Sequence, residues 1–393
     1  MENSRSGIER QASRRSFLRT GAWGVGAAVG TDLLSQQLAA SQEDDAKLNR
    51  GDVAILTFLS ALEQVEADLW IQYAELGGAV TQGVTFSPID LPFKTGLAQD
   101  YITALQVLDG DMPQYIADNT DDEISHHRFL NNYLVSKGVQ PIDLSANFAI
   151  LPPSQVTGVP QTGRLTNLKQ LTIDTTWWTR YRSATANPDF GGTFENAVPD
   201  LAKGQHPAIP LSDNDLVLDH GNISNHLQAI ANTAGFHFAF IEQGGSSLYP
   251  ALAQKASNLE VLRLLLSIGG SEIMHFQTWH DKAGNAPNIT DGGLTFPNLN
   301  IAVDPNTGAT GSNVADEFQT NLIMPEPTLF LDQKLGPVAI IRPTSKQQGG
   351  AVASVLSFAN DGLFLDPYTS RNTGIVDVLM ELAEAADAAQ RKM

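Results

Sequence analysis

Apolar residues recur with a period near 3.6 along four long stretches of the chain. In the first, from about Asp52 to Leu76, the residues Ile55, Phe58, Leu59, Leu62, Val65, Leu69 and Tyr73 fall on one helical face. The second runs from near Leu97 to Lys137, where Gly138 suits a C-cap, and Gly110 and Pro113 are expected to kink or interrupt it. The third spans about Asn222 to Gln254, with Gly235, Gly244, Gly245 and Pro250 as weak points. The fourth spans about Leu259 to Lys282 and ends at Gly284. Four amphipathic helices of this length predict a mainly α protein built on a four-helix bundle.

Between the second and third helices lies a long segment, 141–221, rich in Pro, Thr, Asn and Asp. Loops of that length are functional or form small subdomains. It carries the aromatic run Trp177, Trp178, Tyr181 with Arg180 and Arg182, which either anchors the loop on the bundle or covers a site. After Gly284 an irregular extension, 285–393, contains the strand-like run Val338 to Ile341 and closes on a helix from about Ile375 to Arg391.

Composition narrows the function. The 393 residues are 42% hydrophobic and 17% charged, a globular balance, with a formal charge of -19. No cluster of positive charge fits a phosphate backbone, so nucleic acid is set aside. The chain has no cysteine, which excludes disulfides, thiolate catalysis, iron–sulfur clusters and Cys-ligated zinc. Any metal must be held by carboxylates, imidazoles or carbonyls.

The first forty residues read as an address. Ser13-Arg14-Arg15-Ser16-Phe17-Leu18-Arg19 looks like a twin-arginine signal motif, followed by an apolar stretch from Gly21 to Leu34 that is too short for a permanent anchor. The mature chain is expected to begin near Ser41, without a membrane anchor, in the periplasm or outside the cell. The domain plan is thus a signal at 1–40, a bundle at 41–284 containing the 141–221 insertion, and the extension.

Chemistry is carried by acids and histidines distributed over the four helices. The first offers Glu66, with Glu63 one turn earlier; the second Glu123 and His126; the third Glu242; the fourth Glu272 and His275. In order this is E, ExxH, E, ExxH. Residues i and i+3 share a helix face, so each ExxH pair can bind one cation. Four carboxylates balance two divalent ions and offset most of the cost of burying the charges.

Here the chain resembles the ferritin-like superfamily, and more narrowly the bacterial and plant ferritin-like domain proteins that include the desiccation-related group. The resemblance rests on Leu62 to Ala67, Asp122 to His126, Phe240 to Glu242 and Ser271 to Phe276. It implies a site for two iron or two manganese ions, iron being preferred, with Glu66, Glu123, His126, Glu242, Glu272 and His275 as ligands. It implies Tyr73, seven residues after Glu66, as a donor of an electron or proton beside the site. The expected reactions are ferrous oxidation, peroxide disproportionation or O2 activation, with O2 or peroxide as the small-molecule partner. A homo-oligomer is compatible with the resemblance. The insertion and the extension depart from simple ferritins and speak against cage assembly and iron storage.

Rival readings exist at several positions. Glu63 competes with Glu66 for the first-helix role. Thr120 to Glu123 fits a capping box, in which Glu123 would reach back to a backbone N–H. His127 points about 100° away from His126. His237 and His280 lie five residues from Glu242 and His275, off the same-face spacing, and His206, His220 and His226 fall outside the pattern. A stress or desiccation protein with a structural or absent metal, and a module binding a partner through Trp177 to Arg182, are the functional alternatives.

Overall fold

The computed structural model describes residues 48–80, 94–180, 193–299 and 350–392, all within the unit Lys47–Met393. The twin-arginine motif, the apolar stretch after it, Tyr181, Arg182 and the run Val338 to Ile341 lie outside the described residues.

Four long helices form the bundle: α1 (Arg50–Gly77), α3 (Met112–Ser136), α6 (Asn225–Ala253) and α7 (Leu259–Ala283). Side-chain caps set three of the starts. Asn49 accepts from the backbone N–H groups of Gly51 and Asp52, Ser224 from Leu227, and Asn258 from Glu260 and Val261. The second predicted helix is split in two. A short α2 (Gln99–Leu105) precedes α3, whose first turn holds Pro113, and Gly110 lies in the break. Proline lacks the N–H that a continuous helix would need there, but it suits a first turn. Because α3 starts at Met112, Glu123 sits in mid-helix and caps nothing.

The helices pack as two tight hairpins, α1 with α3 and α6 with α7. Large side chains fill the space between the hairpins. The Trp70 ring stacks on Phe238 and Trp279 at 4.9 and 5.3 Å, and Tyr73 meets Phe238 edge-on at 4.5 Å. Buried aromatic groups of this kind dominate a core energetically.

The insertion lies on α1. It contributes α4 (Ser145–Phe148) and α5 (Thr176–Arg180) between irregular segments. Asp68 accepts from the backbone N–H groups of Leu165 and Thr166, and Arg164 forks both oxygens of Glu75 at 2.6 and 2.7 Å. Trp177 and Trp178 are buried, and Trp177 packs against Phe236, Phe276 and His280. That placement is the anchoring role.

Two small hairpins flank α6 and α7: β1 (Leu218–Asp219) with β2 (Asn222–Ile223), and β3 (Ile289–Asp291) with β4 (Leu294–Phe296). The extension adds α8 (Ala351–Asp361) and α9 (Ile375–Asp387), a helix more than the periodicity predicts. Asp387 caps the start of α8 through the N–H groups of Ala351 and Val352, and α9 packs on α1. No helix among the described residues is long and apolar enough to cross a membrane.

Candidate metal centre

The facing sides of the four helices bring together five carboxylates and two imidazoles. Glu63, Glu66, Glu123, Glu242 and Glu272 are each at most 2% exposed, and His126 and His275 are each 8% exposed. An ionised carboxylate in such surroundings is costly unless something compensates it.

Ligand atoms converge in two groups. Glu63, Glu123, His126 and Glu272 form one; Glu123, Glu242, Glu272 and His275 form the other. Glu123 and Glu272 belong to both. In the first group His126 Nδ1 lies 3.3 Å from Glu63 Oε2, 3.1 Å from Glu123 Oε2 and 3.3 Å from Glu272 Oε1. In the second, His275 Nδ1 lies 3.1 Å from Glu123 Oε1 and 3.2 Å from Glu242 Oε2. A single N–H cannot serve three acceptors, whereas a cation can take the imidazole nitrogen and several oxygens together. Neighbouring corners of an octahedron with bonds of about 2.1 Å are about 3 Å apart, so these spacings suit a small divalent ion.

The outward nitrogen of each histidine is held as well. His126 Nε2 meets Ser271 Oγ at 3.0 Å, and His275 Nε2 meets Asp122 Oδ2 at 3.0 Å. Each residue stands immediately before an ExxH glutamate and braces the histidine of the opposite helix. A carboxylate on the far ring nitrogen fixes the tautomer and strengthens Nδ1 as a donor to metal.

The two halves differ in what holds their outer carboxylates. Glu242 Oε1 accepts from the Trp70 indole N–H at 2.9 Å and from Asn119 Nδ2 at 3.0 Å. Asn119 also donates to Glu123 Oε1 at 2.8 Å and accepts from the Trp279 indole at 2.7 Å. Glu63 Oε1 instead accepts from the Tyr249 hydroxyl. Both oxygens of Glu272, Oε2 of Glu63 and Oε1 of Glu66 are buried with no hydrogen-bond partner. Orphaned carboxylate oxygens turned toward two imidazoles are what a metal-binding cluster requires, and the purely oxygen and nitrogen donor set fits iron or manganese.

Without counter-ions the cluster retains protons. Burial raises Glu63 to about 7 against the pull of His126, and raises Glu66 and Glu272 well above the carboxylate range. Burial also lifts Glu242, which His275 partly offsets. Burial opposes ionisation of Glu123 too, but His126 and His275 outweigh it and hold Glu123 below its ordinary value. Both imidazoles, though desolvated, are pushed up by the surrounding carboxylates.

Of the residues named from sequence, Glu123, His126, Glu242, Glu272 and His275 lie in these groups. Glu66 does not; the first-helix member is Glu63, and Glu66 is a fifth buried acid that feels Glu63, Glu272, Glu123 and Glu242. The Tyr73 hydroxyl bonds His237 Nδ1 at 2.7 Å, so the tyrosine in contact with a member of the cluster is Tyr249. Sequence reasoning passed over Tyr249, Asn119, Asp122 and Ser271. Tyr249 follows Glu242 by the same seven residues that separate Tyr73 from Glu66, and that spacing was the available signal. His127 is outside the cluster, where burial lowers its pKa.

One glycine of α6, Gly245, makes room for the cluster. A Cβ on Gly245 would overlap Glu272 Oε2 and stand 3.1 Å from its Cδ. The ferritin-like domain family matches residues 51–284, which contain α1 from its second residue onward, the other three bundle helices whole, and every residue of both groups. No curated protein and no solved structure matches the chain.

Proposed function

The chain belongs to the ferritin-like domain family, and on that premise we propose that its buried cluster holds two iron or two manganese ions and reacts with a small oxidant, O2 or peroxide. The observation that carries this reading is the sharing of Glu123 and Glu272 between two ligand groups, each with its own histidine and outer glutamate. Glu63 and His126 would hold one ion, Glu242 and His275 the other, and Glu123 and Glu272 both. Bound there, the metal pair would supply reversible one-electron redox capacity, as ferrous oxidation, peroxide disproportionation or O2 activation requires.

The chain's own groups prepare the site. Tyr249 orients Glu63, Trp70 and Asn119 orient Glu242, and Ser271 and Asp122 fix the imidazole rings. Such braces keep the donors in place before any ligand arrives, which is where much of the advantage of a built site originates. Burial keeps bulk water from the carboxylates. The iron reading is preferred over manganese, and oxygen and imidazole donors accept either.

Elemental analysis of the full-length chain beside a Glu123→Ala/Glu272→Ala variant tests the site. About two Fe or Mn per chain, lost in the variant, are expected; stopped-flow ferrous oxidation and peroxide consumption then test turnover. A chain that takes up no metal after anaerobic Fe(II) or Mn(II) would leave the stress-protein or partner-binding alternatives in front. Full metal content with neither activity would reduce the site to a structural one.

The sequence Ser13 to Arg19 supports export by the twin-arginine route. A folded site filled before export would withstand copper and zinc, which bind such donors more tightly than iron or manganese. Replacing Arg14 and Arg15 by Lys should strand the protein in the cytoplasm in a fractionation assay; unchanged export would refute that address.

A further inference from the structure

The insertion is fastened to the α1–α3 hairpin at two places. Gln64 Nε2 donates to Ile142 O at 3.0 Å, and Gln64 Oε1 accepts from Leu144 N at 2.9 Å. One turn later, Asp68 Oδ2 accepts from Leu165 N, Thr166 N and the Thr166 hydroxyl at 3.0, 2.9 and 2.6 Å, and from Gln72 Nε2 at 3.2 Å. Between these anchors the insertion crosses itself. Leu151 and Arg164 exchange backbone hydrogen bonds, and a Cβ on Gly163 would stand 1.8 Å from Ala149 O. The crossing leaves a cavity of about 290 Å³ against α1 and α3. That is near the lower end, roughly 300 Å³, of small-molecule sites.

The lining joins apolar surface to groups with unused bonding capacity. Ile71 of α1, Ile124 of α3 and Leu165 of the insertion supply the apolar part. Asp68, His127, Arg128 and Ser145 supply the rest. All four hydrogen bonds to Asp68 go to Oδ2, and Oδ1 accepts none. Burial raises this carboxyl, while Thr166 and then Arg164 draw it back. The Arg164 guanidinium is itself committed to Glu75. His127 Nδ1 is buried without a partner. Burial, and then the charge of Arg128, lowers this imidazole, which favours the neutral ring. Arg128 is exposed and forms no ion pair among the described residues.

The charges of Asp68 and Arg128 sum to zero, yet the two are not paired with each other. A bare anion bound at Arg128 would leave Asp68 unanswered, and a bare cation at Asp68 would leave Arg128 unanswered. A molecule carrying both charges answers both. None of these residues belongs to either ligand group of the cluster. Gln64, Ile124 and His127 each follow a cluster residue in sequence and turn about 100° away from it.

We propose that this cavity is a binding site for a small aliphatic zwitterion of the amino-acid class. The ammonium group of the ligand donates to Asp68 Oδ1. Its carboxylate takes the Arg128 guanidinium and an N–H of His127, and its carbon chain lies on Ile71, Ile124 and Leu165. The two anchors hold the walls in place without the ligand. The inference is independent of the dimetal reading.

Isothermal titration calorimetry of the full-length chain tests it with four probes: L-leucine, 6-aminohexanoate, hexanoate and hexylamine. One of the two amino acids is expected to bind at least about tenfold tighter than either single-charge probe, because each missing charge leaves a protein group unmatched. The tighter of the two fixes the spacing of the charges. Arg128→Gln changes an exposed side chain and should weaken that amino acid about tenfold while leaving hexylamine unchanged. Ala67→Leu adds methyl groups to a residue that lines the cavity and should abolish binding. Hexanoate or hexylamine binding as tightly as both amino acids overturns the zwitterion class. Absence of binding by either amino acid at millimolar concentration overturns the site, as does an affinity unchanged in Arg128→Gln. If Ala67→Leu fails to fold, the probe series and Arg128→Gln still decide.

Discussion

Gly245→Ala should separate metal binding from folding in one substitution. Gly245 lies inside α6 and faces Glu272 on α7, where a methyl group would overlap Oε2 of that carboxylate. Alanine in a helix interior is favoured over glycine by about 1 kcal/mol. Turning Glu272 away from its rotamer costs roughly 0.5–1.5 kcal/mol, and its two oxygens give up no hydrogen bond by moving, since they have none. The two effects nearly cancel for the metal-free chain, so its melting temperature should shift by no more than about 2 °C. The metal centre has no such compensation. Glu272 belongs to both ligand groups, and displacing it removes a donor from each. Loss of a mere supporting contact costs 10–100-fold in metal affinity, so loss of a shared ligand should weaken both sites by on the order of 100-fold or more. Calorimetry of the metal-free protein and titration with anaerobic Fe(II) give the two numbers. Two ions bound at wild-type affinity would refute the role of Glu272. A large fall in metal-free stability would refute the idea that only a movable carboxylate stands in the way.

Glu63→Gln should lower affinity for one ion by at least about tenfold, whereas Glu66→Gln should keep two ions and stabilise the metal-free chain, because it removes an uncompensated buried acid; the opposite ranking in a titration would restore Glu66 as the ligand. The metal-free chain should lose stability as pH rises. Glu63 is raised from 4.5 to about 7 and Asp361 from 3.8 to about 6 by burial, so their contribution is complete below the ordinary values and disappears as pH climbs through the folded ones. The two raised histidines act in the same sense above 6.5, while Glu123 and His127, which are lowered, act in the opposite sense, below 4.5 and below 6.5 respectively. Metal loading should release protons and flatten this decline; a melting temperature that rises between pH 5 and 7 in metal-free protein would contradict the assignment. Arg164→Ala should cost about 3–5 kcal/mol by stranding the buried Glu75 carboxylate, read as a lower denaturant midpoint. A loss below about 1 kcal/mol would show that the insertion does not depend on this anchor.

The helices were legible because their faces repeat. Ile55, Leu59, Leu62, Val65 and Leu69 set the first, and the observed helix Arg50–Gly77 extends the expected span by two residues at the start and one at the end. The spacing of ExxH likewise placed Glu123 with His126 and Glu272 with His275, since i and i+3 face one way on any helix. The choice between Glu63 and Glu66 was not legible for the same reason. They are also i and i+3, both face the interior, and the pattern treats them alike. What separates them is the axial level of α1 against α6, where Tyr249 meets Glu63 and Trp70 meets Glu242. That level is a property of the packed pair, not of either sequence segment. Helix α8 escaped notice because its eleven residues follow a segment with no periodic pattern.

Asp361 shows what such escapes can conceal. A carboxylate at the end of a short helix in an extension reads, in sequence, as a surface acid. In the fold it is 3% exposed and lies 3.4 Å from Nε2 of His237, a residue that spacing had set aside. Residues 51–284 contain both groups of candidate ligands, Tyr73 and His237, whereas Asp361, 3.4 Å from His237 Nε2, comes from α8. Helix α8 therefore places an acid beside a bundle histidine that is not a member of the cluster. If the extension only stabilised the fold, an apolar residue at position 361 facing the core would serve better than a buried acid held at about 6. Asp361→Leu decides between the two: a rise in melting temperature means that the buried acid costs stability and is not kept for it. A fall in melting temperature means that the contact with His237 stabilises the core.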